Sequence, residues 1–243
     1  MPDFLMPDWP APASVRALQT TRSGGVSLAP WNSFNLGAHV GDDPRHVAEN
    51  RLLLSSQLPA EPLWLNQVHG ISVADAVTDP AGIAADAAVA HAPGAVCVVM
   101  TADCLPVLFC DRAGSVVAAA HAGWRGLAAG VLEATIAAMG VPPESLLAWL
   151  GPAIGPENFE VGDEVRAAFL VDAPAASAAF KAKSSGKWLA DIYQLARLRL
   201  QRAGVLAISG GEWCTVADAE HFFSYRRDGV TGRMATLIWL DGV

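Results

Sequence analysis

The sequence predicts an α+β fold, a single-domain layered sandwich of α/β/β/α type, with mixed sheets flanked by helices, over residues 1–243. Three observations carry that prediction. Short apolar runs read as buried strands. Longer segments with acidic starts and glycine ends read as helices. The two kinds follow one another without the strict alternation of a doubly wound sheet. No linker composition and no internal repeat divides the chain.

Along the chain, "LWLNQVHG" (63–70) is a strand-like apolar run ending at a glycine. "GAVCVVMTAD" (94–103) and "CLPVLFCD" (104–111) read as two short buried strands, and "GSVVAAAHAG" (114–123) as a third. "WRGLAAGVLEATIAAMG" (124–140) reads as one helix closed by Gly140. "SLLAWLGPAIG" (145–155) is a strand running into a Gly/Pro turn. "GDEVRAAFL" (162–170) has the acidic first turn and apolar stripe of a helix. Residues 171–188, rich in Ala, Ser and Lys, read as a long surface loop. "DIYQLARLRLQRAG" (191–204) is the clearest helix, with Asp191 as N-cap and Gly204 past its end. "VLAISGG" (205–211) and "MATLIWL" (234–240) are late strands.

Composition narrows the function classes. With 52% hydrophobic and 16% charged residues, the chain can fill a large core and is not a disordered type. A formal net charge of -8 argues against a general nucleic-acid surface, while leaving room for a local anion pocket. Four Cys without paired spacing do not make a disulfide framework. The opening "MPDFLMPDWPAPASV" lacks the basic and apolar regions of a signal peptide, and no apolar run reaches a membrane span. These features predict a soluble, cytoplasmic protein; the expected assembly, monomer or small homo-oligomer, is not read from them.

Three side chains interrupt apolar runs at strand ends: His69 before Gly70, Cys104 before Leu105-Pro106, and His121 before Ala122-Gly123. Two imidazoles and a thiolate would suit Zn²⁺ and leave its fourth position open, as in a catalytic rather than structural site. The same residues could instead form a metal-free Cys104–His dyad, with His121 or His69 as base for acyl transfer. Cys97 and Cys110 fit small buried hydrophobes. Asp103 differs, because a carboxylate in a strand is costly unless hydrogen-bonded or chemically employed. His46 falls on the first turns of a short helix and His91 in a loop; His39, in "NLGAHVGDD", fits either a structural or a functional role.

The blocks "TTRSGGVS", "NLGAHVGDDP", "NQVHG", "TADCLPVLF", "AAAHAGWRG", "GPAIGPENFEVGDEV" and "FFSYRRDGVTGRMATLIWL" occur in order from about residue 10 to the C-terminus. Together they resemble the family once called multicopper polyphenol oxidases, or laccase-domain proteins, and now regarded as purine nucleoside phosphorylases. The resemblance implies a layered α/β fold and a zinc held by His69, Cys104 and His121. It also implies phosphorolysis of adenosine, inosine, guanosine and S-methyl-5′-thioadenosine, with adenosine deaminase activity. The older name fails a count: four laccase coppers need about ten His ligands and a Cys, and the chain has six His in all. Copper could still enter the same ligands adventitiously.

Within that resemblance, Cys104, Asp103 and His121 are the candidate catalytic residues. Deamination needs an activated water at C6 of adenine and a carboxylate to carry its proton, for which Asp103 adjoins a ligand. The alternative for Asp103 is a backbone N–H acceptor that fixes the strand end. Phosphorolysis needs cationic or N–H donors for phosphate and a polar edge for the base. Arg51, Arg125, Arg226 and Arg227 are the candidate cations, each weighed against a surface ion pair. Asn35 could line a nucleoside pocket or simply set a turn. A Cys–His hydrolase acting on amide bonds of cell-wall precursors is the second reading, and a non-catalytic scaffold the third.

Overall fold

The structure is a computed structural model that describes residues 2–171 and 173–242. Its strands and helices run β1 (Phe4–Leu5), β2 (Val15–Thr20), α1 (Pro44–Ser55), β3 (Val73–Asp75), β4 (Ala87–Ala90), β5 (Val96–Thr101), β6 (Leu105–Asp111) and β7 (Val117–Ala122). Then come α2 (Trp124–Ala129), α3 (Val131–Met139), β8 (Leu146–Leu150), β9 (Glu160–Gly162), α4 (Asp163–Leu170), β10 (Phe180–Ser184), β11 (Lys187–Ala190), α5 (Ile192–Arg202), β12 (Ala207–Gly210), α6 (Tyr225–Asp228) and β13 (Met234–Leu240). A six-stranded mixed sheet has the order β12-β8-β6-β7-β4-β3, a four-stranded sheet the order β1-β2-β13-β5, and a small sheet the order β10-β11-β9.

Strand alternation builds the layers. On β6, Leu105, Val107 and Phe109 face one side, where they pack with residues of α3, α4 and α5. Leu108 and Cys110 face the other side, against Cys97 and Val99 of β5 and Ile238 and Leu240 of β13. The far face of that second sheet carries Leu18, Val98 and Leu237, covered by Leu54 of α1 together with Phe34, Leu36 and Trp64. The result is the mixed α+β sandwich that the sequence predicts, with helices outside and two sheets inside.

Three segments depart from their sequence reading. The helix expected over 124–140 is two helices, because Gly130 stands at φ 107, outside the range of a helical residue. Residues 171–188 are not a loop: a 3₁₀ turn at Pro174–Ala179 leads into the β10–β11 hairpin, while Asp172 lies outside the described residues. That hairpin was hidden because β10 after Phe180 is exposed on both faces and shows no apolar alternation. The 63–70 run forms no strand, only single bridges from Leu63 to Cys97 and Asn66 to Ala84. No helix among the described residues is long and apolar enough to cross a membrane.

Two junctions set up the site. Residues 102–104 carry the chain from β5 in one sheet to β6 in the other, and β7 ends at His121-Ala122 before Gly123 opens α2. A third wall comes from the loop before α1, held by Asn50. The Asn50 side chain is fully buried; its Nδ2 donates to Ser27 Oγ and to the carbonyls of Ser33 and Asn35, and its Oδ1 accepts from Val26 N–H. Asn50→Ala strands these groups at once. It should lower unfolding free energy by about 2–3 kcal/mol in urea denaturation, where an unchanged midpoint would count against this role.

Candidate metal centre between two pockets

The buried carboxylate of Asp86, next to the start of β4, organises the centre. Oδ1 accepts from the His121 ring at 2.8 Å and from His69 N–H at 2.9 Å. Oδ2 accepts from Val68 N–H at 3.1 Å and Gly70 N–H at 2.6 Å. This one side chain therefore orients a ring and holds the turn that presents another. Burial alone would raise the Asp86 carboxyl, but His121 and the backbone donors outweigh it and hold it below its usual range. His69 sits at φ 61 and Asp103 at φ 92, positions rare for residues with side chains. Each such conformation costs about 1–3 kcal/mol and clusters at functional sites.

Asp86 occupies Nδ1 of His121, which leaves Nε2 free on the thiol side. Cys104 Sγ lies 3.9 Å from His69 Nε2, the two imidazole rings meet edge-on at 4.8 Å between centroids, and the three ligating atoms lie within 4.8 Å of one another. A tetrahedral N/S set around zinc has its ligand atoms about 3.5 Å apart, so a small closure suffices. Gly123 keeps the centre open. A Cβ there would lie 3.0 Å from both Cys104 Sγ and His69 Cδ2, and 3.4 Å from His121 Nε2. Burial pushes the Cys104 thiol up, yet His121 and His69 overcome it and bring the thiol down to about 6. His121, whose burial works against its charge, is raised to about 9 by Cys104 and Asp86. The imidazoles thus favour the thiolate form of Cys104, the form in which a cysteine ligates a metal ion.

Two pockets share the wall made by Ala102, Cys104, His69 and Tyr225. One, of about 390 Å³, is lined further by His39, Thr101, His121 and Arg233. The other, of about 280 Å³, is lined by Asp103, Trp124, Arg125, Ile154, Phe159 and Arg226 among others.

The remaining candidates separate by position. Arg125 stacks on Trp124 in the second pocket, and Arg226 reaches the carbonyls of Asn158 and Glu160 beside it. Arg51 lines neither pocket: it donates to Leu36 O and lies 3.9 Å over the Trp64 ring. Arg227 is bound by the carbonyls of Thr215, Val216 and Phe222 and by Asp228. Asn35 is fully buried; it donates to Asp42 and accepts from Gly37 and Arg233 N–H, so it supports the pocket wall from behind. Asp103 accepts from the Thr215 hydroxyl and from Arg226 N–H, both at 2.6 Å, and so ties α6 to the β5–β6 junction. His46 is on α1 and His91 is exposed in a loop; burial pushes the thiols of Cys97 and Cys110 up.

Sequence reasoning missed Asp86 and Arg233. Asp86 in "AADAAVA" carries the same signal as Asp103, an acid at the start of an apolar run. Arg233 gave none, lying in a polar turn before β13.

A four-layer sandwich with an imidazole–thiol cluster open to two clefts defines a metal-competent, small-molecule-binding protein. The profile of the multi-copper polyphenol oxidoreductase laccase family matches residues 16–241, and the chain belongs to that family. It is 60% identical to a purine nucleoside phosphorylase of Pseudomonas aeruginosa over 98% of both chains. To the purine nucleoside phosphorylase YfiH of Escherichia coli it is 58% identical, over 99% of this chain and 100% of the relative. A crystal structure of a Neisseria meningitidis protein superposes with a TM-score of 0.96 at 57% identity, covering 98% of this chain and 99% of the other. YlmD from Geobacillus stearothermophilus superposes at 0.87 with 31% identity, covering 95% and 93%.

Asp86→Asn keeps the shape but removes the charge and turns one of the two acceptor oxygens into a donor, set against either the His121 and His69 donors or those of Val68 and Gly70. Metal affinity should fall about 10–100-fold in a chelator competition titration. A fall of that size with unchanged circular dichroism supports the orienting role; unchanged affinity would remove it.

Proposed function

We propose that the protein is a purine nucleoside phosphorylase, with one Zn²⁺ held by His69, Cys104 and His121. Its substrates in this reading are adenosine, inosine, guanosine and S-methyl-5′-thioadenosine, and it also deaminates adenosine. The observation that carries the reading is a ligand cluster between two pockets, with His69 and Cys104 in the wall they share and His121 in the larger, in a chain akin to such phosphorylases over 98–99% of its length. Phosphorolysis has two substrates that must meet. A phosphate oxygen bonds to C1′ as the C1′–N9 bond breaks, and the purine leaves with the electron pair and takes up a proton. Two adjoining pockets allow this without either substrate displacing the other.

The donor set fits zinc, borderline-soft and content with mixed imidazole and thiolate, and the ion would supply Lewis acidity to a group bound beside it. Copper can occupy such ligands adventitiously. Multicopper chemistry has no support: one cluster of metal-ligating groups occurs among the described residues, built from two of the six His. The chain's own residues do the rest. Trp124 and Phe159 bring aromatic rings to the wall of the smaller pocket, Arg125 lies 4.6 Å over the Trp124 ring and Arg226 5.7 Å over the Phe159 ring, and Tyr225 lines both pockets. The second reading, a Cys104–His121 hydrolase acting on amide bonds, is favoured by the thiol's descent to about 6. Zinc content separates the two.

Protein purified without added metal should carry near-stoichiometric zinc, lost in Cys104→Ser and His121→Ala. Zinc unchanged in both variants would promote the thiol nucleophile. Inosine should yield hypoxanthine and ribose 1-phosphate only when phosphate is present; free ribose at an equal rate without phosphate means hydrolysis. Asp103→Asn tests the deaminase chemistry. As a proton carrier, Asp103 should be worth about 10²–10⁴ in kcat for adenosine, with inosine phosphorolysis and zinc content retained. Its two hydrogen bonds to Thr215 and Arg226 favour the other outcome, in which both activities fall together as α6 loosens.

A further inference from the structure

The two pockets differ in the charged and aromatic groups that line them. No Asp or Glu lines the larger one, although the chain carries a net charge of -8. Arg233 and His39 face it instead. The Arg233 guanidinium donates through Nη1 to the carbonyls of Thr231 and Gly232 and lies 6.0 Å over the Tyr225 ring; among the described residues no carboxylate comes within ion-pair distance of it, and Cys104 and Asp103 act on it only through space. Its position is enforced: Asn35 Oδ1 accepts its backbone N–H at 2.8 Å, and Gly37 lets the stem pass where a Cβ would stand 2.8 Å from Arg233 Cγ. Thr101, also in this wall and 2% exposed, has a hydroxyl without a hydrogen-bond partner. The smaller pocket contains a carboxylate, Asp103, beside two cations, Arg125 and Arg226, and has flat or branched apolar walls from Trp124, Phe159 and Ile154.

A half-buried arginine with no carboxylate hydrogen-bonded to it keeps its planar fork available to an anion. We propose that the Arg233–His39 pocket is the phosphate subsite. The purine then lies in the Trp124–Phe159 pocket, with C1′ of the nucleoside at the shared wall of His69, Cys104 and Tyr225. This rests on the phosphorylase reading and deepens it, because it assigns each substrate to one pocket. Arg233 binds phosphate through its free fork, His39 adds a donor at the mouth, and the oxygen nearest the shared wall is the one that meets C1′.

Steady-state kinetics of the zinc-loaded enzyme test this, with phosphate and inosine varied separately. Arg233→Gln removes charge-assisted hydrogen bonds and should raise KM for phosphate about 10–100-fold, leaving KM for inosine within about twofold. Arg233→Lys should recover part of that loss, and His39→Gln should raise the phosphate KM by a smaller factor. Arg125→Gln should raise the inosine KM and not that of phosphate. Inorganic phosphate should raise the Tm of the wild-type protein in a concentration-dependent way and fail to do so in a folded Arg233→Gln. An unchanged phosphate KM in Arg233→Gln overturns the assignment, as does the exchanged pattern, with Arg125 governing phosphate and Arg233 inosine. Phosphate-independent release of free ribose by the wild type sinks the phosphorylase reading instead, and the thermal shift still decides whether phosphate binds at Arg233.

Discussion

The carboxylate of Asp86 is the constraint on which the rest of the centre depends. It is fully buried, and no lysine or arginine neutralises it; its compensation is a ring of donors from His121, Val68, His69 and Gly70. Burial of such a group is expensive unless every lone pair is used, and the donors that use them are the parts of the protein that must be placed. His121 receives its tautomer from this contact. His69 receives its left-handed backbone, since that conformation points three successive N–H groups at one acceptor. Desolvation thus turns into positional accuracy at two of three ligands.

Asp103 repeats the device on the third. Its left-handed backbone turns the chain between sheets, its carboxylate takes a donor from Thr215 and another from Arg226, and Cys104 follows as the first residue past the turn. The strain at residues 69 and 103 persists because packed sheets hold both ends of each turn. Gly123 completes the arrangement by omission, since any side chain there would fill the space among the ligands.

Much of this was legible in the residues. Strand runs such as 105–111 and 234–240 are so apolar that only a buried strand accounts for them, and α5 carries both its stop signals. The ligands were visible as polar interruptions of such runs. Charge was harder to read. Arg51 and Arg227 look like binding cations in sequence, but backbone carbonyls and aromatic faces satisfy them, and such partners leave no trace in residue order. Arg233 is the reverse, an unremarkable turn residue whose importance comes from what fails to accompany it: a carboxylate. The hairpin at 180–190 was invisible for a similar reason, because its pairing with β9 supplies the order that its own polar composition does not.

The ligands stand far apart in the chain, on a turn after residue 66, a crossover between sheets, and the end of β7. No two of the three stand within a short segment, so the three atoms converge only through tertiary assembly. Both sheets must be docked before the three atoms converge, which puts metal capture at the end of folding rather than at its nucleus. An ion held there would act as a late lock, adding its binding energy to the native state alone.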